Sequence, residues 1–402
     1  MTTRKQALTG VRVLDFSRIL AGPFATMMLA DLGADVIKIE HPTGGDGTRQ
    51  WGPPWFDAPD LDEQQSAYYL SVNRNKRSVT LNLKTAEGRS LARQLAAQSH
   101  VVVENFKRGQ MAGFGLGYDD LRAINPALVY CSVTGFGQTG PYADRPGYDY
   151  VIQAMSGLMS ITGPVEGPSY KVGVAIADVF AGLFGCNAIL AALRHAENTG
   201  EGQHIDIALL DAQIAALVNV ASNYLVSGDT PPRYGNQHPN IVPYQTFRAA
   251  DGEFILAVGN DGQYAKLCDL IARPDLRDDP RFATNPARVE YRAELVPILQ
   301  GIFETRPAAA WVEDLLARGI PAGPINTIPA ILNDPHILAR GLVHEEPNGM
   351  KLVGPPAKLS ATPAEVRTAP PQLGEHTEEV LREVLGMDEK AIGTLRAEGV
   401  IA

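Results

Sequence analysis

Residues 11–40 read VRVLDFSRILAGPFATMMLADLGADVIKIE, and this stretch decides the fold. Val11–Phe16 is a β-branched run typical of a buried strand, Phe24–Asp31 has helical spacing, and Asp35–Glu40 is a second strand-like run. Pro23 is typical of the first position of a helix. The stretch therefore predicts a β-α-β unit with two parallel strands.

The same alternation of strands and helices continues on the C-terminal side. An amphipathic helix is predicted at Glu87–Gln98, long apolar helices are predicted at Tyr148–Met159, Asp178–Ala196 and Leu209–Val226, and a strand is predicted at His204–Ala208. Further strands are predicted at Ser78–Leu83, His100–Asn105 and Leu128–Thr134. Residues 10–135 thus predict a doubly wound parallel sheet.

A change of composition marks a second domain. Ser227–Asn240 is rich in Gly, Asp, Pro and Arg, and Tyr244–Ala249 and Glu253–Val258 alternate like a hairpin around Asp251-Gly252. We therefore predict a large α/β domain over residues 1–226 and a small α/β domain over 227–330. Residues 331–402 are predicted to return to the large domain through the Pro-rich stretch Gly354–Pro371.

Composition excludes several classes of protein. Of the 402 residues, 45% are hydrophobic and the formal net charge is -10, which disfavours nucleic-acid binding. The three widely spaced cysteines form no disulfide framework, so a cytoplasmic location is expected. No signal peptide or membrane span is expected, because the longest apolar stretch, Val174–Leu193, contains Asp178 and reads as a core helix.

The first β-α-β turn does not carry a dinucleotide site. Leu20–Ala25 reads LAGPFA, which lacks the GxGxxG pattern, and Pro23 removes a backbone donor at the start of the helix. Glu40 occupies the position of a ribose-binding acid, but this residue alone is a weak signal. A dehydrogenase, which would require affinity for NAD, is therefore not supported.

Asp178 is the most informative acid of the chain. It lies in Gly173–Gly182, GVAIADVFAG, where its neighbours are small and apolar, and burying an unpaired carboxylate there would be costly. The structural interpretation is an N-cap that accepts a backbone N–H. The functional one is a nucleophile kept ionised by the helix dipole at a low pKa, and both interpretations can hold together.

Two loops offer further candidates. Arg145–Tyr150 reads RPGYDY, either a turn into a helix or a site where Arg145 meets a phosphate or carboxylate. Gly259–Gln263 reads GNDGQ and is either a tight turn or a mobile lid whose N–H groups reach an anionic intermediate. The eight histidines show no HxxxH or HExxH pairing, so no metal site is expected, and there is no GxSxG elbow.

With these segments assembled, the chain resembles the class III CoA-transferases, the family of formyl-CoA transferase and CaiB/BaiF-like proteins. The resemblance rests on GVRVLD (10–15), AGP (21–23), GADVIKIE (33–40), NKRS (75–78), LNLK (81–84), VENF (103–106), GFG (135–137), GYD (147–149), Ala177-Asp178 and TGEGQ (199–203). RYGN (233–236), IVPYQ (241–245) and GIPAGPIN (319–326) are most similar to succinyl-CoA:dicarboxylate transferases of the glutarate type.

The resemblance implies a role for each matching residue. Asp178 would be the catalytic aspartate, and Trp51 and Tyr68 would line the acyl pocket. Arg145 and the lid residues Gly259, Asn260, Asp261, Gly262 and Gln263 would meet substrate, although Asn260 and Asp261 replace glycines of the family. The residues implied to bind CoA are Ile19, Leu20, His41, Leu81, Asn82, Lys84, Asn105, Phe106, Lys107, Tyr148 and Asp149, with His41 where an arginine is frequent.

The resemblance also implies the architecture and the partners. Both chain ends would build a Rossmann-like large domain, with the small domain between them, and two chains would thread through each other as an interlocked homodimer. The substrates would be an acyl-CoA and a carboxylic acid, with no permanently bound cofactor. Arg74, Arg145 and Arg233 are unranked candidates for binding the remote carboxylate of a dicarboxylate.

Two other functions remain open from the sequence. An α-methylacyl-CoA racemase of the same fold would need two acid/base groups, and Tyr148 stands where racemases carry histidine. A non-catalytic regulator that binds acyl-CoA without turnover is the second alternative.

Overall fold

The structure is a computed structural model that describes residues 6–402. The chain forms two compact units. The larger unit comprises the residues up to Leu158 together with Val172–Leu217 and Pro335–Ala402, and the smaller unit comprises Met159–Lys171 and Val218–Asp334. The predicted boundaries at 226/227 and 330/331 therefore lie nine and four residues from the observed divisions at 217/218 and 334/335. The assignment of Met159–Lys171 to the smaller unit has no counterpart in the prediction.

Strands and helices alternate through the N-terminal half, as the β-α-β pattern predicts. The strands are β1 (Arg12–Asp15), β2 (Asp35–Glu40), β3 (Trp55–Phe56), β4 (Gln65–Ser66), β5 (Lys76–Thr80), β6 (Val101–Glu104), β7 (Val129–Thr134), β8 (His204–Ala208), β9 (Tyr244–Arg248), β10 (Glu253–Ala257), β11 (Ala322–Pro324), β12 (Val343–Glu345) and β13 (Lys351–Val353).

Helices surround these strands. They are α1 (Ala21–Asp31), α2 (Ala67–Leu70), α3 (Ala86–Ala97), α4 (Gln110–Gly113), α5 (Tyr118–Arg122), α6 (Asp149–Met155), α7 (Leu158–Ile161), α8 (Ile176–Thr199), α9 (Leu209–Ala215), α10 (Val218–Ser227), α11 (Asp261–Leu270), α12 (Pro274–Asp278), α13 (Asn285–Glu290), α14 (Arg292–Phe303), α15 (Ala308–Ala317), α16 (Ile328–Leu332), α17 (Pro335–Ala339), α18 (Thr377–Leu385) and α19 (Glu389–Ala397). A short 3₁₀ helix covers Gly47–Gln50.

The larger unit is built on a six-stranded parallel sheet in the order β5-β2-β1-β6-β7-β8. From β1 the chain adds strands first in one direction, to β2 and β5, and then in the other, from β6 to β8. The strand order therefore reverses between β1 and β6, where open α/β sheets form a crevice at the carboxyl ends of their strands.

Both faces of this sheet are covered, so its central strands carry buried apolar residues at consecutive positions, as at Val101–Val103 of β6. Val13, Val101 and Val103 face a core shared with α1 and α8, whereas Leu14 and Val102 face a second core that includes residues of α3, α18 and α19. The predicted α/β fold with a large parallel sheet is confirmed.

Helix α8 packs directly on α1, and glycine permits the close approach. A Cβ atom at Gly182 would lie 2.8 Å from the Ala21 carbonyl oxygen and 2.9 Å from the Phe24 ring. α8 is long and apolar enough to cross a membrane by length and composition, but 44% of its most apolar window is already buried within the structure. Its inner face belongs to the core of the larger unit.

The smaller unit contains an antiparallel sheet in the order β11-β10-β9. The predicted hairpin is present, with Arg248 of β9 paired to Glu253 of β10. Phe247, Phe254 and Phe303 pack edge-on in its core together with Trp311.

Three predictions of helix geometry were wrong. Pro23 is the third residue of α1 rather than the first, although it still falls among the first four N–H positions that lack a partner within the helix. The helix predicted at Tyr148–Met159 divides into α6 and α7, because Gly157 adopts a φ of +91°. The helix predicted at Leu209–Val226 divides into α9 and α10, without a glycine or proline at the break.

Candidate active site

The residues predicted to bind CoA in the larger unit lie in the segments that follow the carboxyl ends of the parallel strands. Ile19 and Leu20 follow β1, His41 follows β2, and Leu81, Asn82 and Lys84 follow β5. Asn105, Phe106 and Lys107 follow β6, while Arg145 and Tyr148 lie between β7 and α6 and Asp149 is the first residue of α6. This is the edge of a doubly wound sheet where ligands bind.

Asn105 joins the two loops on either side of the point where the strand order reverses. Its side-chain oxygen accepts the Arg18 N–H at 2.9 Å, and its side-chain nitrogen donates to the Arg18 carbonyl at 2.6 Å. The Arg18 guanidinium also lies 4.6 Å from the centre of the Phe106 ring. These contacts fix the position of the predicted CoA-binding loops relative to each other.

Ile19 adopts a backbone conformation that β-branched residues rarely take. Its φ is +73°, which costs on the order of 1–3 kcal/mol. The Ile19 N–H donates to both carboxylate oxygens of Asp46 at 3.2 Å, and Lys38, fully buried, donates to Asp46 at 2.9 Å. Burial would raise the pKa of Asp46, but the Lys38 charge and hydrogen bonds from Thr48 outweigh it and lower the pKa to about 2. A permanently ionised acid thus holds the strained turn.

Asp178 is the third residue of α8, half-buried, and its setting differs from the prediction. The N-cap is Ala175, which offers no side-chain cap, so the prediction that Asp178 caps the helix was wrong. Burial, together with the negative charge of Asp149, raises the pKa of Asp178 from 3.8 to about 7, so the predicted low pKa was also wrong. Among the described residues, no group donates a hydrogen bond to its carboxylate.

Asp149 occupies the helix terminus that Asp178 was predicted to use. Its Oδ1 atom accepts the Ala177 N–H at 2.9 Å, and its Oδ2 atom accepts from Gln153 at 2.8 Å. Because Asp149 satisfies this free N–H of α8, the dipole of the helix stabilises that carboxylate. The neighbouring Asp178 carboxylate accepts no hydrogen bond from residues 6–402 and is available for chemistry.

Tyr68 and Trp51 form the aromatic part of the site. Their rings meet edge to face with centres 5.1 Å apart, and Trp51 remains 45% exposed. Burial and the charges of Asp178 and Asp149 raise the pKa of Tyr68 to about 12. The phenol therefore stays protonated at neutral pH and can act as a hydrogen-bond donor next to the acids.

A contact between two glycines places the start of α6. A Cβ atom at Gly147 would lie 2.7 Å from the Cα of Gly135, and one at Gly135 would lie 2.6 Å from the Cα of Gly147. This approach of two backbones is possible only without side chains. It is followed directly by Tyr148, which is 68% exposed, and by Asp149.

The remaining predicted CoA-binding residues show local roles. The Nδ1 atom of His41 accepts the Thr43 N–H at 3.0 Å and the ring is exposed, while Asn82 Oδ1 accepts the Lys84 N–H at 3.1 Å. Lys84 and Lys107 are exposed at the carboxyl edge, as phosphate-binding cations require. Their assignment to CoA stays a prediction.

The predicted lid lies in the smaller unit and is held by its own side chains. Asn260 caps α11 by accepting the Gln263 N–H at 2.9 Å, and Gln263 accepts the Gly259 N–H at 2.8 Å. Asp261 accepts from the fully buried Arg288 at 2.7 Å. These contacts favour the interpretation of Gly259–Gln263 as a tight turn. That this segment, which includes Gly262, moves as a lid over the substrate stays a prediction.

The three candidate arginines differ in their contacts. Arg74 is buried and forms a two-fold pair with Asp31, at 2.9 and 2.6 Å, so it is not free for substrate. Arg233 donates to the carbonyls of Pro164 and Gly167 within the smaller unit. Arg145 is exposed and stacks 3.8 Å from the centre of the Tyr142 ring, with no carboxylate partner among residues 6–402.

The sequence reasoning missed three residues of this region. Asp46 and Lys38 form the buried pair below Ile19, and Gln153 joins Asp149 to the segment before α8. Only Gln153 left a sequence signal, because it follows Asp149 by four residues on one helix face. Within the described part of the chain, no group of three His, Cys, Asp or Glu could hold a metal ion.

A half-buried acid at a helix terminus, in a parallel α/β sheet whose strand order reverses, is typical of α/β enzymes that form covalent intermediates with their substrates. The chain belongs to CoA-transferase family III, whose sequence profile matches residues 8–377. It is accordingly an enzyme that transfers CoA, as predicted.

Relatives along the whole chain agree with this family. The chain is 50% identical over 399 residues to the succinate–glutarate CoA-transferase of Agrobacterium fabrum, covering 97% of this chain and 99% of that protein. It is 44% identical over 398 residues to the succinyl-CoA:glutarate CoA-transferase of Homo sapiens, covering 98% of this chain and 90% of that protein. These relatives do not favour the racemase alternative.

Solved structures share the architecture. A CAIB/BAIF family protein from Brucella suis matches with a TM-score of 0.85 and 47% identity, covering 95% of this chain and 100% of that one. Rv3272 from Mycobacterium tuberculosis matches with a TM-score of 0.83 and 34% identity, covering 94% of this chain and 99% of that one.

Proposed function

We propose that this enzyme moves CoA from succinyl-CoA to a dicarboxylic acid of the glutarate type, with Asp178 as the covalent carrier. The substrate class is supported by the relatives named for succinate and glutarate. The observation that carries the chemistry is a half-buried carboxylate at the start of α8, without a hydrogen-bond donor, beside a protonated Tyr68.

The reaction proceeds through three covalent intermediates on Asp178, a mixed anhydride, a CoA thioester and a second mixed anhydride. An Asp178 oxygen attacks the thioester carbonyl of succinyl-CoA, the carbon–sulfur bond breaks, and a mixed anhydride and CoA thiolate form. The thiolate attacks the aspartyl carbonyl and releases succinate, which leaves an Asp178–CoA thioester. The acceptor carboxylate attacks this thioester and displaces the thiolate. The thiolate then attacks the acceptor carbonyl of the second anhydride and frees Asp178.

The environment of Asp178 suits each of these steps. A partly desolvated carboxylate is a stronger nucleophile than a fully solvated one, and it remains a good leaving group. The Tyr68 hydroxyl can donate to the developing oxyanion, because its pKa of about 12 keeps the proton at neutral pH. Each step exchanges one activated acyl bond for another, so the balance needs no ATP.

The covalent step can be tested by trapping. Wild-type enzyme is incubated with succinyl-CoA without acceptor, then treated with borohydride, and the peptide that contains residue 178 is examined by mass spectrometry. Reduction at Asp178 is expected, together with loss of CoA transfer in Asp178→Ala. The matched control is Glu389→Gln, an exposed first-turn acid of α19. Transfer by Asp178→Ala at the control's rate would exclude this mechanism.

We also propose that the enzyme is a homodimer and acts in the cytoplasm. Exposed apolar side chains on α6 and α8, among them Val151, Met155, Leu183 and Phe184, support burial against a second copy. The three cysteines are buried and free, which suits a reducing compartment. Light scattering would give the mass of the particle, and a monomer at micromolar concentration would exclude the dimer.

A further inference from the structure

The side chain of Gln153 is fully buried, and both the oxygen and the nitrogen of its amide form hydrogen bonds. Its Nε2 atom donates to Asp149 Oδ2 at 2.8 Å and to the Val174 carbonyl at 3.3 Å. Its Oε1 atom accepts the Val172 N–H at 2.9 Å. The amide has only one favourable orientation, because its NH₂ group must face acceptor oxygens and its carbonyl oxygen must face an N–H donor.

These contacts converge on the segment that leads into α8. Val172 and Val174 lie four and two residues before the first residue of α8, and Asp149, held by Gln153, accepts the N–H of Ala177. The N-cap residue itself, Ala175, has no side chain that could define the helix start. The position of the first turn of α8 therefore depends on two side chains of α6.

We propose that Gln153 is a positioning residue for the transfer reaction: its single amide ties Asp149 to the segment before α8 and thereby fixes where Asp178 stands. The proposal rests on the assignment of Asp178 as the covalent carrier. If the chain in the first turn of α8 shifted by one residue along the helix, Asp178 would turn by about 100° around the helix axis. Its carboxylate would then leave the vicinity of Tyr68 and Asp149.

The first experiment removes the amide while keeping the shape. Gln153→Met is close in volume and apolar, so Asp149, Val172 and Val174 each lose a partner. We expect kcat for CoA transfer from succinyl-CoA to glutarate to fall on the order of 100-fold, because a displacement of about 1 Å can cost that factor. KM for both substrates should change little, since a fully buried side chain does not touch them.

The second experiment exchanges donor and acceptor. Asp149→Asn alone places two amide N–H groups face to face, and Gln153→Glu alone places two carboxylates face to face. In the double variant Asp149→Asn/Gln153→Glu, the new amide donates to the new carboxylate and still accepts from Ala177, and the carboxylate still accepts from Val172. The Val174 carbonyl loses its donor in both variants that carry Glu at position 153. We therefore expect the double variant to be at least about tenfold faster than Gln153→Glu alone.

The outcomes distinguish a failure of the positioning role of Gln153 from a failure of the catalytic role of Asp178. Glu389→Gln is the matched control, and circular dichroism and melting curves confirm that each variant is folded. An inactive Asp178→Asn with a fully active Gln153→Met would overturn the positioning role alone, whereas an active Asp178→Asn would overturn the proposed function. If Gln153→Met does not fold, the exchange decides, and a double variant no faster than Gln153→Glu rejects the proposal.

Discussion

Asp178 should lower the stability of the fold that carries it, and the structure gives the magnitude. Burial, aided by the charge of Asp149, raises its pKa from 3.8 to about 7. Since one pKa unit corresponds to about 1.4 kcal/mol, ionised Asp178 costs the folded state about 4 kcal/mol at pH 8. We therefore expect Asp178→Asn, which keeps the shape but removes the charge, to be more stable than wild type at that pH.

The pH dependence follows from the direction of the shift. Below pH 3.8 the carboxyl is protonated in both the folded and the unfolded state, and the penalty vanishes. As the pH rises from there to about 7, the unfolded state ionises first, so wild type progressively loses stability; above about 7 the full penalty persists. The gain of Asp178→Asn should thus fall to about 1 kcal/mol or less near pH 4.

Melting temperatures measured across this range provide the assay. Taking an unfolding entropy of roughly 2.1 cal/mol/K per residue, the gain at pH 8 corresponds to a rise in Tm of about 5 °C. Glu389→Gln, an exposed acid-to-amide change in a first helical turn, should shift Tm by less than about 1 °C at every pH. An equal or lower Tm for Asp178→Asn at pH 8, or a gain that does not vary with pH, would refute the electrostatic reasoning.

Two arginines that looked alike in the sequence should behave in opposite ways. Arg145→Met should raise KM for glutarate about 10- to 100-fold, the loss of a hydrogen bond between charged groups, and leave KM for a monocarboxylate unchanged; equal effects on both acceptors would contradict this role. Arg74→Met should leave both KM values unchanged but lower the free energy of unfolding by about 3–5 kcal/mol, because Asp31 stays buried without its partner. A urea titration measures that loss, and an unaltered midpoint would contradict it.

The parallel sheet could be predicted because its signals are local. Strands that are buried on both faces carry apolar residues at consecutive positions, and Val11–Phe16 and Asp35–Glu40 show this at Val13-Leu14 and Val36-Ile37. The break at Gly157 also had a local signal, a glycine inside an apolar helical run, which the prediction did not use. The break between α9 and α10 had none, because small and apolar residues continue through it.

The sequence predicted which acid is central to the candidate site, but it did not predict the pKa or the hydrogen bonds of the acids there. Asp178 stood out because its flanks are small and apolar, and those flanks also decide that burial raises its pKa. What the sequence could not give is that Asp149, distant in the chain, takes the Ala177 N–H. The Asn260 cap of α11 was readable, since Asn and Gln three residues apart form a capping pattern, yet the glycines of the loop drew attention to a lid instead.

Asp149 and Asp178 divide two tasks at the N-terminus of α8: one carboxylate accepts a helix N–H, and the other stays reactive. A helix N-terminus stabilises a carboxylate, and a carboxylate stabilised by backbone N–H groups is a poor nucleophile because attack requires those bonds to break. Here Asp149 receives the Ala177 N–H and completes the helix, and its charge together with burial leaves Asp178 raised in free energy. Destabilising the ionised ground state in this way lowers the barrier to attack on a thioester, provided that the residue is held in place. The fully buried Gln153 supplies that constraint, so the reactivity of the acid and the rigidity of its surroundings arise from the same cluster of α6 side chains.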